Sequence, residues 1–207
     1  MTRDSPSLDV YVPWPIATEG TNPVNKKLLA ALSGGTALVL ALSGCSDNSE
    51  VNDYAKKVCD QLKPQLQKIT NANESITSTA ADGKPADIKK ADSAAFQQIS
   101  SAYASMADAV DEAGAPPVDN GEQKQQAAVR GLNATSRAYA DLKTDVDRLN
   151  TNDQAKFAAG LQDIAQKLDA VNKAGNDAIE NLQSGEVGEA MSKQSGCKRP
   201  SGATPSS

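Results

Sequence analysis

The side chains with the widest chemical repertoire in this chain are three thiols, Cys45, Cys59 and Cys197, and they occur in a sequence with no histidine. A thiolate accepts acyl or alkyl groups, ligates metals or closes disulfides. The missing imidazole removes histidine-based catalytic triads, His-Glu-x-x-His zinc sites and the Glu-x-x-His di-iron site found in some helical bundles. Neither Cys-x-x-Cys, Gly-x-Gly-x-x-Gly, a phosphate-loop Gly-Lys-Ser/Thr nor Gly-x-Ser-x-Gly is present. Ser195-Gly196-Cys197-Lys198 fits Ser-x-x-Lys, in which a lysine deprotonates a serine for acyl transfer, but the Lys-Thr-Gly companion of such sites is missing. Two acidic groups invite a metal: Asp141, Asp145 and Asp147, and Asp108, Asp111 and Glu112. Neither carries the turn glycine and closing glutamate of a calcium loop, so both read as solvated helix faces. The expectation is a protein without catalytic residues, bound metal or cofactor.

One thiol has a context of its own. Lys26-Lys27 precedes the apolar run Leu28 to Leu42, the order of a basic segment and hydrophobic core in an export signal. As a helix that run spans about 22 Å, short of the ~30 Å hydrocarbon core a permanent crossing needs. It ends in Leu42-Ser43-Gly44-Cys45, which resembles the bacterial lipobox. The resemblance implies that Cys45 receives a diacylglyceryl group. It also implies that a signal peptidase recognising Leu42, Ser43 and Gly44 cuts before Cys45. Two acyl chains make a stable anchor where one gives only marginal binding. The expected location is extracytoplasmic, with the chain attached to the cell membrane through lipid on Cys45.

Residues 1–23 fit this scheme poorly, because Asp4, Asp9 and Glu19 with Pro13, Pro15 and Pro23 stand ahead of the basic segment. They are read as an over-extended N-terminus with no structural role. Either Met1 or Val24 begins translation, and a start at Val24 makes residues 24–44 the signal peptide. Residues 45–50 then read as a polar tether, residues 51–197 as the folded domain and 198–207 as a disordered tail with no core-forming side chain.

If lipid consumes Cys45, Cys59 and Cys197 remain in a compartment where disulfides persist. Their pairing is the simple expectation, and free thiols or an intermolecular link are the competing ones. The intramolecular bond staples the C-terminal segment to the first helix.

These cysteines need elements to hold them, and the apolar pattern supplies helices. Val51, Tyr54, Val58, Leu62, Leu66, Ile69 and Ile76 recur at helical steps, with Pro64 expected to kink the run or start a new helix. Asp82-Gly83-Lys84-Pro85 makes a turn, and a second helix carries Ile88, Phe96, Ile99, Tyr103, Met106 and Val110 up to Gly114, Pro116 and Pro117. A third begins near Gln123 and carries Val129, Leu132, Tyr139, Leu142, Val146 and Leu149. After capping residues at Asn150-Thr151-Asn152, a fourth carries Phe157, Leu161, Ile164, Leu168, Val171, Ile179 and Leu182 at seam-like spacing. Val187 to Ser195 suits one more short helix. The fold class is all-α: an antiparallel up-down-up-down four-helix bundle with a disulfide-stapled C-terminal segment. The aromatics fall at core spacing and read as packing.

Composition narrows the partners. Aromatic residues make up 3% of the chain and charged ones 23%, a balance suited to lean helices with small contacts. The net charge of −5 is unchanged by removing residues 1–44, and no basic cluster exceeds a Lys-Lys or Lys-Arg pair. Nucleic acid is therefore not an expected partner.

In layout, the lipobox, Cys59 early in the first helix, a helical middle and Cys197 near the end are similar to the small secreted lipoproteins of actinobacteria whose roles are uncharacterised. The resemblance implies a location and no reaction. The functional expectation is a non-enzymatic, membrane-anchored binding or interaction module, contacting an envelope protein or a cell-wall polymer. The alternative is a carrier or sequestering protein for a small apolar ligand, held between helices.

Overall fold

The computed structural model describes residues 47–198, and every regular element among them is helical. The long helices are α1 (Asp47–Asp82), α2 (Pro85–Ala113), α3 (Gly121–Asp147) and α4 (Gln154–Leu182), followed by the short α5 (Glu186–Lys193) and a 3₁₀ turn, Ser195–Cys197.

The helix ends follow local chemistry. α1 begins at Asp47, within the stretch read as a tether, where Glu50 in the first turn favours the positive end of the helix dipole. It continues through Pro64, so no new helix starts there. Pro64 is exposed, so the carbonyl of Asp60 that loses its helical partner faces water and the lost bond costs little. Pro85 occupies the first turn of α2, where its missing N–H is no loss. Gly114 ends α2 with φ of 82°, a conformation that side chains resist. Before α4 the cap falls on Asp153, one residue beyond the expected Asn150–Asn152, and its carboxylate accepts the Lys156 N–H at 3.1 Å. Asn150 instead accepts the N–H of Asn152 at 3.0 Å, closing a local turn.

Neighbouring helices in the chain are neighbours in space: α1 lies on α2, α2 on α3, α3 on α4, and α5 with the 3₁₀ turn returns to α1. Polar contacts give the register. Lys89 donates to the Leu149 carbonyl, Ser100 pairs with Ser136, and Gln125 donates to Asp111, so numbers rise along α2 as their partners fall along α3. The same holds from α3 to α4, through Tyr139 with Asn172 and Lys124 with Ser184. Close approach is made possible by small residues. A Cβ on Gly131 of α3 would overlap the Ala178 methyl of α4.

The core is deepest beneath α5. Val51, Tyr54, Ala55, Val58, Cys59 and Leu62 of α1 are buried there, together with Val187, Ala190 and Met191. Farther along α1, Leu66, Ile69 and Ile76 are only half-buried. On α2, Phe96, Ile99, Tyr103, Met106 and Val110 are buried as the spacing predicts, while Ile88 is half-buried. Leu132, Tyr139, Leu142 and Val146 of α3 are buried too. α4 keeps a narrower seam than expected: Phe157, Ile164 and Leu182 are buried, but Leu161, Leu168, Val171 and Ile179 stay half-exposed. Its main neighbour is α3, which covers one flank of the stripe.

Candidate functional site

Leu42, Ser43, Gly44 and Cys45, the expected processing and lipidation residues, lie outside the described residues, as do the rest of segments 1–23 and 24–44 and most of the expected tail. Cys59 and Cys197 are joined in a disulfide with 4.8 Å between their Cα atoms. Cys59 is fully buried in α1, and Val187 and Met191 on α5 pack into the same core. The bond closes a loop of 138 residues, which in the chain-entropy picture contributes about 5 kcal/mol. Ser195 and Lys198 meet through backbone only, the Lys198 N–H donating to the Ser195 carbonyl at 3.3 Å.

The acidic helix faces are occupied by cations and amides. Asp145 holds Lys167 at 2.7 Å and Arg148 at 3.8 Å, Asp147 holds Lys143 at 2.6 Å, and Asp111 accepts from Gln125 at 3.0 Å. Among the described residues, no group of three or more cysteine or carboxylate side chains is clustered tightly enough to hold a metal ion.

Three of the aromatics, Phe96, Tyr103 and Tyr139, form one packed group. Tyr103 stacks on Tyr139 at 5.7 Å between ring centres, and Phe96 tilts against Tyr139 at 5.9 Å. Tyr139 donates its hydroxyl to Asn172 Oδ1 at 2.6 Å. Burial pushes the Tyr103 phenol up to about 12 and raises that of Tyr139 further, so both remain neutral hydrogen-bonding groups in the core.

Among the described residues, two buried side-chain polar atoms have no hydrogen-bond partner, Tyr54 Oη and Asp92 Oδ1. Asp92 is 7% exposed, and burial alone raises its carboxyl to about 6. A sequence signal for it existed: position 92 falls four residues after Ile88 and four before Phe96, on the apolar stripe of α2.

An open groove of about 530 Å³ lies between the first turns of α2 and the last turns of α3. Ala86, Lys89, Lys90, Ser93, Ala94 and Gln97 line it from α2, and Lys143 and Asp147 from α3. Lys89 is fixed by the Leu149 carbonyl at 2.9 Å. The hydrogen bond from Lys143, reinforced by Ser93 and the charges of Lys143 and Lys89, holds the Asp147 carboxyl below the usual carboxylate range. The groove is thus a positive spot on an acidic chain. Sequence reading missed it because its parts are some fifty residues apart and each looks like an ordinary solvated helix face.

No helix among the described residues is long and apolar enough to cross a membrane. Comparison with protein-family models, curated proteins and solved structures finds no match to this chain.

Proposed function

We propose that this chain is an extracytoplasmic lipoprotein, anchored by lipid on Cys45, whose antiparallel up-down-up-down four-helix bundle serves as a non-enzymatic binding module. The observation that carries the export reading is the Cys59–Cys197 disulfide, a bond that persists in oxidising compartments and is rare in the cytosol. The falling and rising partner numbers along α2, α3 and α4 support an antiparallel order for these three helices. Two features support a binding role over a catalytic one. Asp111, Asp145 and Asp147 of the two acidic groups are paired with an amide or with lysines, and the Ser195-to-Lys198 link is a backbone turn.

Growth with an alkyne-bearing fatty acid tests the anchor. The wild-type chain should carry the label and the Cys45→Ser variant should not. Equal labelling of both, or of neither, overturns the assignment of Cys45 as the lipidated residue.

A further inference from the structure

We propose that the far end of the bundle, where α1 gives way to α2, binds a long-chain primary amine, its ammonium on Asp92 and its alkyl tail along the seam between α1 and α4. Asp92 is 7% exposed, on the stripe of α2 that also buries Ala95, Phe96, Ile99 and Tyr103, and its Oδ1 has no hydrogen-bond partner. A sealed acceptor without a donor destabilises a fold, and an apolar side chain would fill the place without that penalty. The missing donor is what a ligand would bring.

Helix register places this carboxyl beside the seam. A Cβ on Gly175 of α4 would meet the Tyr103 hydroxyl at 3.1 Å, so the stripe of α2 faces across the interior to α4. Asp92 precedes Tyr103 by eleven residues, about three turns, and so lies on the same line. With the helix order proposed above, α2 and α4 run parallel. Eleven residues back from Gly175 is Ile164, with Leu161 and Leu168 one turn to either side. On the other flank, Lys57 of α1 donates to the Glu112 carbonyl of α2. Twenty residues on along α1 and twenty back along α2 bring Thr77, next to Ile76, level with Asp92.

α1 packs on α2 and α4 on α3, but α1 and α4 are not closely packed on each other. Nearer the start of α1 the core is covered by α5, whereas at this end Ile69, Ile76, Leu161 and Leu168 remain half-buried. An alkyl chain laid between them would complete their burial. The carboxyl selects the head group. An ammonium brings both opposite charge and N–H donors, an alcohol brings a donor without charge, and an anionic head is repelled. Burial raises the Asp92 carboxyl only to about 6, so it is mainly ionised at pH 7.5. A metal ion needs several ligands, and among the described residues Asp92 belongs to no group of three or more cysteine or carboxylate side chains. The inference rests on reading the bundle as a binding module and not on the lipid anchor.

The test follows thermal unfolding of the full-length protein by circular dichroism, in a non-ionic detergent at pH 7.5. Octylammonium, octanol, octanoate and methylammonium are compared at equal concentration. Octylammonium should raise the melting temperature of wild type by a few degrees, and the other three should not. Uptake into micelles is common to all variants, so the difference between variants is the readout. Asp92→Asn should lose the shift whatever its own stability, and Leu168→Gln should reduce it. Asp163→Asn, which alters an exposed carboxylate of α4, should keep it. The proposal is overturned if octylammonium leaves wild type unshifted or shifts Asp92→Asn equally. It is also overturned if methylammonium matches octylammonium, which leaves the tail no role, or if octanol matches it, which leaves the carboxylate none. Unlabelled Cys45 with the octylammonium shift intact would strike the anchor reading alone.

Discussion

Ser100 on α2 and Ser136 on α3 exchange hydrogen bonds: each hydroxyl donates to the other's backbone carbonyl at 2.8 Å, and the two oxygens are 3.3 Å apart. The pair pins the register of two helices whose other contacts are mostly apolar and could slide. Replacing either serine by alanine should cost about 1 kcal/mol in urea unfolding, the net worth of a typical internal hydrogen bond. Because the bonds are reciprocal, the double variant should cost less than the sum of the singles. Strict additivity would show that the two hydroxyls act independently.

Asp92 makes stability depend on pH. Its folded pKa of about 6 lies above the ordinary value of 3.8, so the unfolded chain releases the proton first. The neutral carboxyl is tolerated below about pH 4, and the penalty grows between about pH 4 and 6 and is constant above that. At neutral pH the charge in this buried position costs on the order of 2 kcal/mol. Asp92→Asn should therefore be more stable than wild type at pH 7.5, with the gap shrinking below pH 6 and closing by about pH 3.5. Unfolding titrations at the two values check this, and a gap independent of pH would refute the role of the charge.

Gly131 tests the α3–α4 contact. In an exposed helix, glycine to alanine gains about 1 kcal/mol from propensity. Here the new Cβ would overlap the Ala178 methyl, so Gly131→Ala should instead lower the melting temperature. Adding Ala178→Gly should recover part of the loss. A stabilised single variant would mean that the helices part easily.

Reduction should matter more than any of these substitutions. Opening Cys59–Cys197 should add two hydrogens to the intact mass and lower stability by up to about 5 kcal/mol. Cys197→Ser should reproduce the loss of stability without the mass change. If reductant leaves the melting temperature where it was, the clasp contributes nothing to the fold.

Much of the helical layout was legible because α2 and α3 bury most of their apolar stripes. Phe96 through Val110 and Leu132 through Val146 recur at helical steps and end at glycine, proline or capping residues. Where the reading failed, the deciding factor was three-dimensional. Pro64 was expected to break α1, but which side of a helix meets water cannot be known before its neighbours are placed. Leu161 and Leu168 carry the pattern of a buried seam, yet periodicity does not reveal that α3 alone is α4's main cover. Asp92 was overlooked because an acid on an apolar stripe reads as noise until its burial is measured. Cys59 and Cys197 were the opposite case. With so few cysteines to pair, the 138-residue separation was no obstacle to connecting them.

The same disulfide turns residues 59–197 into a covalent ring that contains every connection between the helices. A protease that clips after the exposed Arg148 in those connections therefore releases no fragment. The nicked molecule keeps all its chain, gains one water in mass, and separates into two pieces only when a reductant follows. Damage to this protein would stay hidden on a non-reducing gel.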